Sequence, residues 1–119
     1  MARYVITGGA GFIGSNIAEV LLDRDHDVRI VDNFSTGKPA NIAPFRDRLT
    51  FDELDIGVGV EPLQRAFDGA DYVLHQAALA SVPRSVADPL SSHEANVTGT
   101  LNVLLAARDA GVKREVYAA

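Results

Sequence analysis

The sequence contains no cysteine. Disulfide frameworks, thiolate zinc sites and cysteine nucleophiles are therefore excluded together. No apolar run approaches the roughly 20 residues of a membrane span. The first apolar run, Tyr4–Ile6, meets glycines immediately, so the basic, apolar and small-residue succession of a secretory signal is missing. Positive charge is scarce as well. Only 11 Lys and Arg stand against 16 Asp and Glu, a net charge of −5, and the bases are scattered apart from Lys113–Arg114. Nucleic acids and anionic membrane surfaces need clustered Lys and Arg, so neither is an expected partner. There is no internal repeat, low-complexity tract or interdomain linker. What is present is an ordinary globular composition, 47% hydrophobic and 23% charged over 119 residues. That argues against disordered, collagen-like and coiled-coil chains and fits one domain or part of one. The expected setting is cytoplasmic.

Hydrophobic periodicity divides the chain into alternating strands and helices. Arg3–Thr7 reads as a short apolar strand and Gly8–Gly11 as a glycine turn. Gly11–Arg24 reads as a helix with Ile13, Ile17, Val20 and Leu21 on one face. Asp27–Val31 is a second strand ending at Asp32. Asn33–Phe45 is a loop with room for one helical turn. Leu49–Leu54 is a third strand, Pro62–Phe67 the core of a short helix, and Asp71–His75 a fourth strand. Gln76–Pro83 is a loop of small residues. Pro89–Ala110 is the longest helix, with Val97, Leu101, Leu104 and Leu105 on its apolar side and Gly111 as its C-cap. Lys113–Ala118 is a fifth strand. Alternation of this kind predicts an α/β fold, a Rossmann-like doubly wound parallel sheet in three αβα layers. The expected strand order is 3-2-1-4-5, with the ligand crevice between strands 1 and 4.

The most informative stretch is Thr7-Gly-Gly-Ala-Gly-Phe-Ile-Gly14. It follows a strand and opens a helix, the context a dinucleotide fingerprint requires. Gly9, Gly11 and Gly14 satisfy G-x-G-x-x-G, and Gly8, Gly11 and Gly14 satisfy G-x-x-G-x-x-G. In either spacing the chain must turn tightly, let its backbone touch a pyrophosphate and bring the helix close to the sheet. The helix N-terminus then offers N–H groups and partial positive charge to the phosphates. Asp32 ends the second strand near the spacing of about 20 residues expected for the acid that accepts ribose hydroxyls. Its charge would repel a 2′-phosphate, and no Arg or Lys follows it directly, so NAD is expected rather than NADP. The competing reading is a glycine turn with no nucleotide and a solvated strand-end acid.

Other candidates have plainer readings. His75 ends a strand beside the crevice and reads as a structural histidine with one satisfied nitrogen. His26 lies in an Asp-rich turn, and His93 on the long helix has no partner pattern of a metal site. Asp23, Asp25 and Asp27 alternate as in a calcium loop, but the glycine and terminal glutamate are missing, so no metal is expected. Arg84 is open to a substrate contact or a surface salt bridge. Asn96 sits mid-helix against its propensity.

Four segments together resemble the extended short-chain dehydrogenase/reductase family: Thr7–Gly14, Val31-Asp-Asn-Phe-Ser-Thr-Gly37, His75-Gln-Ala-Ala78 and Asn96-Val-Thr-Gly-Thr100. That family includes NAD-dependent nucleotide-sugar epimerases and dehydratases. The resemblance covers essentially the whole chain, in order and spacing. Ala78-Leu-Ala-Ser-Val-Pro-Arg-Ser85 is most similar to the branch that epimerises C4 of UDP-N-acetylhexosamines. UDP-glucose or UDP-glucuronate epimerases, dehydratases and nucleotide-sugar decarboxylases stay open, as does a non-catalytic NAD-binding module.

The resemblance implies roles for particular residues. Gly8, Gly11, Phe12, Ile13 and Gly14 would line the pyrophosphate. Asp32 and Asn33 would hold the adenosine ribose, with Ser35, Thr36 and Gly37 closing that side. Asp55 and Ile56 would lie at the adenine. Gln76, Ala77 and Ala78 would run along the nicotinamide ribose, and Asn96 would shape the hydrogen bonds of the active site. Ala80, Ser81 and Arg84 would face the sugar of a UDP-sugar. The family's Tyr-x-x-x-Lys motif is absent, and Tyr4, Tyr72 and Tyr117 do not match it. No catalytic residue is therefore assigned. The chain is expected to be an NAD-binding Rossmann domain over residues 1–119, without the substrate domain and inactive alone. In resembling enzymes the 89–110 helix joins a four-helix dimer interface, which implies self-association through its exposed apolar stripe.

Overall fold

Five strands, all parallel, form one sheet in the order β3-β2-β1-β4-β5 in the computed structural model, which describes residues 1–34, 37–57, 59–77, 90 and 94–117. The strands are β1 (Arg3–Thr7), β2 (Asp27–Asp32), β3 (Thr50–Glu53), β4 (Tyr72–His75) and β5 (Arg114–Tyr117). The helices are α1 (Phe12–Asp23), α2 (Pro39–Ile42), α3 (Val60–Phe67) and α4 (Gly99–Asp109), with a 3₁₀ segment at Ala43–Arg48 and a π-turn at Glu94–Thr98. The predicted fold class and strand order are those observed, and the described strand ends shift by at most one residue.

Alternation along the central strands splits the core in two, because successive strand side chains point to opposite faces. Val5, Val31 and Val73 pack with Leu63, Ala66 and Phe67 of α3 and with Val103, Ala106 and Ala107 of α4. Ile6, Val28 and Ile30 pack with Ala18 and Leu22 of α1, Ile42 of α2 and Phe45. Helices thus cover both faces. The order reverses beside β1, so the carboxyl ends of β1 and β4 border the crevice where such folds bind ligands.

Two helix faces differ from the expected ones. Ile13 and Val20 are 61% and 50% exposed, Ile17 and Leu21 are half-buried against the core, and Gly14, Ser15, Ala18 and Leu22 are buried. The contact stripe of α1 is made of small residues because the helix must approach the turn closely: a Cβ on Gly14 would overlap the Gly8 carbonyl oxygen and lie 2.9 Å from Gly9 Cα. The long helix is interrupted by the π-turn, and residues 91–93, His93 among them, lie outside the described residues. On α4 the buried face is Gly99, Val103, Ala106 and Ala107, whereas Val97, Leu101 and Leu104 are exposed and Leu105 is half-buried.

Chain reversals close both long helices in the same way. Gly111, at φ +75°, follows α4, and the N–H groups of Gly111 and Val112 donate to the carbonyls of Arg108 and Ala107. This is the reciprocal C-terminal motif that favours glycine. At the end of α1 the equivalent position is Asp25, at φ +64°, with Asp25 and His26 N–H groups donating to Leu22 and Leu21. The acidic alternation at 23–27 is therefore a helix stop: Asp23 pairs with Arg48 and Asp27 with Arg3.

Candidate functional site

The glycine turn is fixed by backbone hydrogen bonds from both sides. Gly8 N–H donates to Val31 O at 2.8 Å, Gly11 N–H to Gly8 O at 3.1 Å, and Gln76 N–H to Thr7 O at 3.0 Å. Gly8 sits at φ +70°, and a Cβ there would lie 2.7 Å from Ala77 N. The turn after β1 and the chain after β4 are consequently in direct contact, and only glycine satisfies both the angle and the approach.

Gly11 is different. It is the N-cap of α1 in extended conformation, and a Cβ on it would meet nothing nearer than Gly8 O at 3.3 Å. That contact is tight, but among the described residues it is far milder than the backbone overlap at Gly8 and Gly14. Phe12 and Ile13, whose side chains are exposed, begin the helix there, and the first turn carries no acidic side chain. The N–H groups of that turn have no intrahelical acceptors and face the crevice mouth with the positive end of the helix dipole.

Asp32 joins the turn to the loop after β2. Its Oδ2 accepts the Ala10 N–H at 2.9 Å and its Oδ1 accepts the Phe34 N–H at 2.7 Å, and the residue is only 7% exposed. The Ala10 carbonyl accepts the Lys38 N–H at 3.1 Å and the Asn41 side-chain amide at 2.7 Å. Gly37 closes over this contact: a Cβ on it would lie 2.9 Å from Asp32 Oδ2 and 2.8 Å from the Ala10 carbonyl carbon. Each Asp32 oxygen retains a second lone pair, so the carboxylate can still accept a hydroxyl at its exposed edge. Asn33 is exposed beside it, and Ser35 and Thr36 lie outside the described residues.

Beyond β3, Asp55 is exposed and its Oδ1 accepts the Gly57 N–H at 2.8 Å, a local turn. Ile56 is buried in the α3–α4 core, and its carbonyl accepts the Asn102 amide at 2.9 Å. On the β4 side Gln76 and Ala77 are half-buried, and Asn96 lies exposed on the π-turn. Ala78, Ala80, Ser81 and Arg84 lie outside the described residues.

His75 is buried and uses both ring nitrogens, where a single satisfied nitrogen was expected. Its Nδ1 lies 2.6 Å from Thr7 Oγ1, and its Nε2 lies 3.0 Å from Thr100 Oγ1. Burial holds the imidazole below its usual pKa, so the neutral ring is favoured. Asn41 was not singled out from the sequence, and Thr7 and Thr100 appeared only as ends of family-like segments, with no role given to either. A threonine in a strand or a polar residue in a loop carries no local signal for a partner tens of positions away; Asn41, in a glycine- and proline-rich loop after the key acid, was the most accessible of the three. Among the described residues no group of His, Asp and Glu is arranged to hold a metal ion, and no helix is long and apolar enough to cross a membrane.

Comparison with known proteins agrees with this geometry. The chain is 40% identical to a UDP-glucose 4-epimerase of Klebsiella pneumoniae, over 97% of this chain and 86% of that protein. It superposes on UDP-N-acetylglucosamine 4-epimerase from Methanobrevibacter ruminantium, solved in complex with UDP-N-acetylmuramic acid, with a TM-score of 0.86 and 40% identity. It superposes on Thermus thermophilus UDP-glucose 4-epimerase, solved in complex with NAD, with a TM-score of 0.83 and 43% identity. Those matches cover 96% and 95% of this chain but only 36% of each solved chain, so the chain spans about a third of their length. The NAD dependent epimerase/dehydratase family model matches residues 4–119, and the chain belongs to that family.

Proposed function

We propose that this chain is the NAD-binding part of a nucleotide-sugar 4-epimerase, with UDP-N-acetylglucosamine or UDP-glucose as the substrate of the whole enzyme. The observation that carries the reading is the joint made by Asp32 and the glycine turn. A buried carboxylate holds Ala10 N–H, and beside it Gly11 opens the helix with bare backbone, which a pyrophosphate needs for close approach. The residues fit the dinucleotide. Gly8, Gly11, Phe12, Ile13 and Gly14 would line the pyrophosphate, with the N–H groups at Phe12, Ile13 and Gly14 taking the phosphates and Gly8 and Gly14 allowing the close approach. Asp32 and Asn33 would take the adenosine ribose, Ser35, Thr36 and Gly37 would close that side, and Asp55 and Ile56 would border the adenine. Gln76, Ala77, Ala78 and Asn96 would border the second nucleotide, and Ala80, Ser81 and Arg84 the sugar.

Bound NAD supplies a hydride acceptor and donor. This chain's contribution is to hold and orient it, and no acid or base is assigned here, so the chain alone is expected not to turn over. Val97, Leu101 and Leu104 expose an apolar stripe that favours self-association. The absence of cysteine and the use of a soluble dinucleotide are consistent with work in the cytoplasm. Calorimetric titration with NAD and NADP tests the reading. Binding of NAD with weaker binding of NADP is expected, and a folded chain that binds neither would overturn it.

A further inference from the structure

The hydrogen bonds around His75 fix the position of every proton in the chain that contains them. Thr100 Oγ1 donates to the Asn96 carbonyl at 2.9 Å. A carbonyl can only accept, so the single hydroxyl proton of Thr100 is committed there. Thr100 must then accept from His75 Nε2, which therefore carries a proton. At the other end Thr7 Oγ1 accepts the Ala77 N–H at 3.3 Å. Thr7 is fully buried, and its own proton finds its acceptor at His75 Nδ1, 2.6 Å away. The opposite tautomer would require Thr100 to abandon the Asn96 carbonyl and would leave the buried Thr7 hydroxyl proton without an acceptor. A doubly protonated ring would leave the buried Thr7 hydroxyl proton without an acceptor. The direction is thus unique: Ala77 N–H to Thr7, Thr7 to His75, His75 to Thr100, Thr100 to the Asn96 carbonyl.

This line crosses the crevice. It starts at the main chain after β4, passes β1 at the foot of the glycine turn, and ends on the π-turn before α4. A π-turn is a local distortion that re-aims side chains and recurs at functional sites. Asp32 lies on the β2 side of the turn, and dinucleotides span the point where strand order reverses. The nucleotide that is not at Asp32 therefore rests over the β4 side, on the main chain and turn that His75 joins. Among the described residues, the titratable positions in register beside His75 are on β5. Tyr117 is its register partner, and Glu115 lies one pair back on the same face. β1 and α4 present the uncharged Thr7 and Thr100.

We propose that His75, as the neutral Nε2–H tautomer, is a positioning residue for the second nucleotide of the bound dinucleotide, acting through Thr7 on Ala77 and through Thr100 on the Asn96 turn. The proposal rests on the NAD reading above. Its test uses this chain, with ADP as a probe of the adenosine half alone. Nitrogen-15 NMR of the imidazole is expected to show a protonated Nε2 and a bare Nδ1 at neutral pH. Thr100→Val keeps the shape at a half-buried position and removes the acceptor. It is expected to weaken NAD roughly fivefold, the effect of one lost hydrogen bond, and to leave ADP unchanged. Thr100→Ser restores the hydroxyl and should restore NAD affinity. A protonated Nδ1, equal losses of NAD and ADP, or a Thr100→Val chain that binds NAD as the parent does would each overturn the proposal. A parent chain that binds neither ligand would instead overturn the NAD reading, and the proposal with it.

Discussion

Two glycines three residues apart should respond to the same substitution in opposite ways. At Gly8 a Cβ meets backbone atoms of Gln76 and Ala77 at 2.7–2.8 Å, in a conformation of φ +70°. The left-handed conformation costs a non-glycine residue about 1–2 kcal/mol. Relieving the overlap moves two strand ends, and overpacking of that kind costs about 1–3 kcal/mol more. Gly8→Ala is therefore expected to lose about 2–5 kcal/mol, a large share of the roughly 5–15 kcal/mol that holds a domain. At Gly11 φ is −74° and the nearest atom to a Cβ is Gly8 O at 3.3 Å. Alanine is a poorer N-cap than glycine but restricts the unfolded chain more, and these effects of about 0.5–1 kcal/mol oppose each other. Gly11→Ala should melt in urea within about 1 kcal/mol of the parent by that balance. Its methyl nevertheless occupies the space assigned to the pyrophosphate, so NAD binding by calorimetry should fall at least about tenfold, a loss of roughly 1.4 kcal/mol. Two results would refute the reasoning. If Gly11→Ala binds NAD normally, the phosphates are elsewhere; if Gly8→Ala is as stable as the parent, the turn is not constrained as described.

Three further outcomes follow from single residues. Asp32→Ala strands the N–H groups of Ala10 and Phe34, so it should cost about 2–4 kcal/mol in a urea melt while narrowing the preference for NAD over NADP in calorimetry. Asp25→Gly relieves the positive φ at the end of α1 and removes a negative charge from the helix C-terminus, and should raise stability by about 1 kcal/mol. Glu115 buries both carboxylate oxygens with no hydrogen-bond partner among the described residues, and desolvation raises its pKa. A raised folded pKa means the carboxyl contributes most below its ordinary value of 4.5 and least above its folded value. Glu115→Leu should then stabilise the chain at neutral pH by about 1 kcal/mol, with the gain shrinking as pH falls toward 4.5, which melts across that range would show.

The glycine turn and the five strands were legible because their signals are local. Each strand is a short Val, Ile or Leu run bounded by turn residues, and a turn that needs close backbone approach must spend glycines on it. The faces of α1 and α4 were not legible for a related reason. Where helices approach a sheet closely, Gly14, Ala18, Gly99 and Ala106 do the packing, and larger apolar residues such as Ile13, Val20 and Leu101 are left outward. Reading the most hydrophobic stripe as the buried one is then only half right: Ile17 and Leu21 do pack against the core, but Ile13 and Val20 do not. Roles that depend on register were hidden too. Thr7 and His75 become neighbours only when β1 pairs with β4, and nothing near either residue announces it.

The same distinction separates what holds the fold from what is left for a ligand. Gly8 and Gly14 are fully accounted for by contacts inside the chain, since a side chain at either would strike backbone. Asp32 is only partly accounted for: its two backbone partners explain why it is buried, but a neutral asparagine could accept one of them. Gly11 is only weakly accounted for by the fold, because a Cβ there would crowd Gly8 O at 3.3 Å without overlapping backbone as at Gly8 and Gly14. A residue whose type the fold requires less than its neighbours', placed between a helix N-terminus and a buried carboxylate, is where the binding reading has its firmest physical footing. The other glycines support the architecture that brings those two features together.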